Sequence, residues 1–195
     1  MSDELRSISR DEINTLPIRR WQGEVRVITS AEEAARALAE IRKEAMTGFD
    51  TETRPAFKPG ESYLPSLAQI ATARAVYLFR LGSREVAAAV AEVLAAEPIV
   101  KAGVGLVDDF RVLKKVIEFA EKSTVDLGEV AMRRGFKQSG VRSLAAIFLG
   151  FRVPKGTKTS NWARARLTPQ QIAYAATDAW TCRELYVRFR TLGFV

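Results

Sequence analysis

Apolar and polar residues alternate along 24–29, the pattern of a strand with one buried face. Ser30-Ala31-Glu32-Glu33 has the spacing of a capping box, and Ala34, Leu38 and Ile41 then fall on one side of a helix expected over 31–45. A mainly apolar run at 46–49 leads into two acids, so 46–53 reads as a strand. Two further strands, 67–72 and 76–81, flank Ala73-Arg74 and predict a hairpin. With these strands paired, the first half of the chain forms a mostly antiparallel sheet. An Ala/Val-rich helix over 83–96 and an interior strand over 99–104 follow, the latter apolar except for Lys101.

The second half is more helical. Gly103-Val104-Gly105 turns into a helix expected over 106–120; it lacks the third glycine of a dinucleotide loop, and Asp108 and Asp109 stand where a phosphate would approach. A short strand at 124–127 precedes helices at 127–134 and 141–149. Residues 151–165 form a basic loop. Thr168, Pro169 and Gln171 then cap a last helix running to about 192. Residues 1–22 are polar, with a short helix begun at Ser9 and ended by Pro17. They read as an arm lying on a single domain at 23–195.

Composition narrows the chemistry. The 195 residues contain no histidine and one cysteine, Cys182. This excludes histidine-based triads, histidine-ligated zinc and an internal disulfide. No apolar run reaches membrane-spanning length and no signal peptide is evident, so the expected setting is the cytoplasm. The net charge is +7, and its distribution says more than its total. From Val130 to Thr177 there is no Asp or Glu, whereas Arg133, Arg134, Lys137, Arg142, Arg152, Lys155, Lys158, Arg164 and Arg166 all lie within it. One sign over so long a stretch points to phosphates.

Asp50 and Glu52 share one face of their strand, roughly 7 Å apart along the backbone. Alone, such a pair is more often two solvated acids at a turn. A hard divalent cation is what would hold two carboxylates together, because carboxylate oxygens are its preferred ligands. On the last helix Tyr174 and Asp178 are four apart and share a face, with small residues around them.

Asp-x-Glu on a strand, an Asp opening a middle helix, and Tyr-x-x-x-Asp on a late helix, in this order, resemble the DEDD superfamily of 3′→5′ exonucleases. The branch is the one bearing a tyrosine, and the similarity is to ribonuclease D and Werner-type exonuclease domains. It covers about residues 24–192 and includes Leu67-Ala68-Gln69-Ile70 and Lys158-Thr159-Ser160-Asn161-Trp162. The resemblance implies an α/β fold, a ribonuclease H-like mixed sheet of five or six strands flanked by helices. It implies two divalent ions, Mg²⁺ or Mn²⁺, held by Asp50, Glu52, Asp109 and Asp178, with Tyr174 orienting the attacking water. Family spacing selects Asp109 over Asp108. Substrate contacts are expected from Thr51, Lys158, Asn161, Arg164 and Arg166. Trp162 could stack on a base or pack in the core. The implied partner is single-stranded or 3′-recessed nucleic acid, DNA or RNA, with no membrane and no small organic cofactor. A non-catalytic nucleic-acid-binding domain and a hydrolase of very short oligonucleotides are the competing readings.

Overall fold

The computed structural model describes residues 7–58, 60–154, 156 and 159–195. Six strands form one mixed sheet: β1 (Glu24–Ile28), β2 (Met46–Thr53), β3 (Pro65–Ala71), β4 (Ala75–Arg80), β5 (Val100–Gly103) and β6 (Thr124–Asp126). Their order is β1-β4-β3-β2-β5-β6. β2, β3 and β4 pair antiparallel, as the alternation and the tight turn predict. β1 instead lies parallel to β4, and β5 and β6 continue parallel beyond β2. The strand with the acid pair is therefore interior, between an antiparallel and a parallel neighbour.

One face of the sheet is covered by α2 (Ala31–Ile41), α3 (Arg84–Ala95) and α4 (Leu106–Leu113). Their core includes Ile41, Phe49, Ile70, Val90 and Phe110. The other face carries α5 (Leu127–Arg133), α6 (Val141–Leu149) and the long α7 (Pro169–Thr191). Two clusters lie beneath α7. Ala175, Ala176 and Ala179 pack on Leu67 and Leu78, and Cys182, Leu185 and Phe189 pack on Ala102 and Leu144. The capping box predicted for α7 is present, with Thr168 accepting from Gln171 and Pro169 in the first turn.

Two helix ends differ from expectation. α4 stops at Leu113, not near 120. Val116, Ile117 and Phe119 extend the apolar spacing and still pack against the core, but from a turn after the helix. α2 likewise ends at Ile41.

The polar N-terminal stretch holds α1 (Arg10–Thr15) and is fixed to the rest of the chain. Ile18 bridges Arg152, the Arg152 N–H donates to the Pro17 carbonyl at 2.9 Å, and the Trp21 N–H donates to Thr177 Oγ1 at 3.2 Å. Among the described residues no helix is long and apolar enough to cross a membrane.

Candidate active site

β2 and α7 build the site together. Gly48 permits it: a Cβ there would strike the Ala179 carbonyl and the Arg183 backbone, so only glycine lets the helix lie this close to the strand. Two residues further along the same face is Asp50, then Glu52, and Asp178 comes down from the helix. An oxygen from each of the three carboxylates lies within 4.8 Å of the others. Glu52 and Asp178 are buried and Asp50 is half-buried. Such a donor set, all hard oxygen and anionic, fits a divalent cation of the Mg²⁺ or Mn²⁺ kind.

Tyr174, one turn before Asp178, turns into the same cluster. Burial is the main cause that pushes its phenol well above the usual range, and the charges of Asp178 and Glu52, a hydrogen bond to Asp178, and Asp50 add to it. Its ring is backed by Trp162, with centroids 6.0 Å apart.

Asp109 approaches from the other face. Thr51 Oγ1 donates to Asp109 Oδ1 at 2.8 Å, and Phe49 meets Phe110 at 5.6 Å between centroids, fixing α4 against β2. Burial pushes the Asp109 carboxyl up to about 6, opposed by the Thr51 hydrogen bond and reinforced by Asp108 and Asp126. Asp109 lies outside the three-carboxylate group. Asp108, its neighbour, points to solvent and pairs with Arg111 at 2.8 Å.

The expected substrate contacts are placed unevenly. Arg164 and Arg166 are exposed on the loop before α7. Arg80 holds that loop by donating to the Arg164 carbonyl at 2.7 Å, and Gln171 does so by donating to Ser160 Oγ at 2.7 Å. Asn161 is exposed, with Oδ1 accepting from the Ala163 N–H. Trp162 is wholly buried, so it supports Tyr174 and offers no face to a base. The Thr51 hydroxyl is directed at Asp109. Lys158 lies outside the described residues.

Two residues at the site were given no role there from the sequence. Asp126 caps α5 and also accepts from the Leu106 N–H at 2.8 Å, satisfying the start of α4 where Gly105 (φ +78°) offers no side chain. An Asp just before a helix is the available signal. Gln69 pairs across the ladder with Asp50 and is fully buried, with neither amide atom hydrogen-bonded. The β2–β3 register fixes that pairing, and the long 54–64 connection hides the register from the sequence.

Fold and site together define an α/β protein with an acidic cluster between a central strand and a helix crossing it. The chain belongs to the 3′-5′ exonuclease family, which matches residues 25–192. It is 32% identical over 155 residues to the mouse bifunctional 3′-5′ exonuclease/ATP-dependent helicase WRN, covering 76% of this chain and 11% of that protein. It is 28% identical to the human exonuclease mut-7 homolog, covering 91% of this chain and 23% of that one. The chain thus spans less than a quarter of the length of either relative. The EXO domain of Aedes aegypti Nibbler superposes with a TM-score of 0.79 at 22% identity, covering 90% of this chain and 93% of that domain. That likeness shows the ribonuclease H-like exonuclease fold.

Proposed function

We propose that this chain is a two-metal-ion 3′→5′ exonuclease releasing nucleoside 5′-monophosphates from single-stranded or 3′-recessed nucleic acid. The observation that carries the proposal is the convergence of Asp50, Glu52 and Asp178, whose oxygens approach within 4.8 Å. In this reading those three would hold one Mg²⁺ or Mn²⁺ ion, and Asp50 and Asp109 would hold a second. The cations would supply positive charge to the entering and leaving oxygens of the scissile phosphate. Tyr174 orients the attacking water. A tyrosine's ordinary pKa of about 10 leaves the phenol neutral at pH 7, which suits a hydrogen-bonding group better than a base. Trp162 beneath the ring and Gly156 at its edge keep the phenol in place. Arg164 and Arg166 stand exposed on the loop before α7, where backbone phosphates would pass.

The test is a titration of Mg²⁺ and of Mn²⁺ with RNA and DNA strands, 3′-free or 3′-blocked, following mononucleotide release. Metal-dependent release from free 3′ ends alone is expected, with Tyr174→Phe slowed roughly 10²-fold or more while still binding metal. Release that needs no metal, or that ignores the 3′ block, defeats the proposal, as does binding without any release. Cleavage confined to dinucleotides would replace the substrate with short oligonucleotides.

A further inference from the structure

Two cavities on the α7 side of the molecule share the walls Arg20, Val153 and Pro154. The first, about 440 Å³, ends against Tyr174, and the second, about 640 Å³, continues to Arg10, Arg142 and Arg152. The two adjoin at these shared walls, and together they make a trough reaching from Tyr174 to α1. Each part is of the size that holds a ligand-sized group, about 300–1,000 Å³. Among the described residues four arginines line the trough, and no Asp or Glu does. The grooves around α4 and α5 differ, with Glu121, Asp126 and Glu129 in one and Asp108 in the other. The two acids of α1 do not enter the trough walls, and Glu12 is turned back onto the Ser9 cap.

Residues 8–21 make one wall and are firmly seated. Besides the contacts of residues 17–21 given above, the Ile8 N–H donates to Gln138 Oε1 at 3.0 Å and Gln138 Nε2 donates back to the Ile8 carbonyl at 2.7 Å. Arg10 and Arg20 are exposed. Arg142 and Arg152 are half-buried and hold the loop and the arm, Arg142 by donating to the Val153 carbonyl at 3.2 Å.

We propose that this trough is a binding groove for the phosphodiester backbone of a single strand whose 3′ end lies at Tyr174, with Arg10 and Arg20 of the N-terminal stretch contacting its phosphates. The groove's direction rests on the exonuclease reading; its capacity to bind a strand does not. Charge complementarity and continuity with Tyr174 favour a polyanion threaded from the site over a small ligand. The arm is then part of the substrate path, not only a cover for α7.

Fluorescence anisotropy of a labelled single-stranded 12-mer tests this on the whole chain, in chelator so that nothing is cut. Arg10→Ala/Arg20→Ala is expected to weaken Kd about tenfold and to reduce the slope of log K against log salt by about 0.7 for each arginine removed. Arg20→Lys, which keeps the charge, should recover most of the loss. Arg36→Ala, on α2 across the sheet, serves as the charge control. A double variant with the parent's Kd and salt slope overturns the groove, and so does an equal loss from Arg36→Ala. With metal restored, a parent that binds strands but cuts none refutes the exonuclease reading and leaves the groove standing. Hydrolysis with unchanged variant binding does the reverse.

Discussion

Asp108 and Asp109 are adjacent acids in the first turn of α4, yet their surroundings differ in kind. Asp108 is an exposed acid at a helix N-terminus paired with Arg111, worth a fraction of a kcal/mol at most. Asp109 accepts a hydrogen bond from Thr51 on β2, and burial raises its pKa against the effect of that bond. A buried carboxyl whose pKa is raised by desolvation is one that a cation nearby would hold ionised. We expect Asp109→Asn to lower single-turnover hydrolysis by about 10²-fold or more, in the range of losing one group that stabilises transition-state charge. Asp108→Asn should change it less than about twofold, as for a solvated surface acid. Quench-flow measurements on the two variants decide the matter, and equal losses would assign the role to both or to neither. The sequence left these two residues distinguishable only by family spacing. The structure supplies a physical difference in Thr51, whose alternation on β2 sends it to the face opposite Asp50.

At the scale of elements, α7 was the most legible part of the chain. Its cap, its proline and its small-residue stripe give both its start and the closeness of its approach to the sheet. That approach depends on one position. Gly48→Ala puts a methyl group against the Ala179 carbonyl, and helix or strand must shift. The expected cost is about 1–3 kcal/mol. Because Asp178 rides on the helix and Asp50 on the strand, metal binding should weaken together with stability. Denaturant titration and metal-binding calorimetry on one preparation check this, and a variant with intact stability would show the packing to be looser than described. The end of α4 was less legible, because Val116, Ile117 and Phe119 keep helical spacing while packing from a turn. β1 could be read as a strand but its parallel partner could not, since alternation identifies a face and not a neighbour.

Lys101 on β5 belongs to this scale too. It is buried, its ammonium donates to the Ala96 carbonyl at the end of α3, and burial pushes its pKa down to about 8. The unfolded chain holds this proton up to pH 10.5 or so, so between about 8 and 10.5 it binds protons that the native state has released. Stability attributable to Lys101 therefore rises with pH across that window, by on the order of 3 kcal/mol, and is least below pH 8. Lys101→Met should be more stable than the parent at pH 7, and the difference should shrink toward pH 10. A difference that stays constant with pH would show that the lysine is not desolvated.

Across the whole molecule, the site is assembled from positions far apart in the chain. Asp50 and Glu52 come from an early strand and Asp178 from the last helix, so the cluster exists only when the sheet and α7 have docked. An ion held by all three carboxylates, whose oxygens lie within 4.8 Å of one another, would bind the folded chain and not the unfolded one. It follows that metal should act as a stabiliser of the entire domain, independently of any substrate. At a hundredfold excess over Kd, Mn²⁺ or Mg²⁺ would add about 2.7 kcal/mol, a rise of about 5–10 °C in Tm for a domain of this size. Asp178→Asn should lose most of the metal-dependent rise, because one of the three anionic ligands has gone. Asp109→Asn should keep most of it, since Asp109 stands outside the three. Differential scanning calorimetry with and without chelator reads all of these shifts. If metal left the parent's Tm unmoved, or if Asp178→Asn kept the whole of the metal-dependent rise, the assignment of a cation to these acids would fail without any nuclease assay.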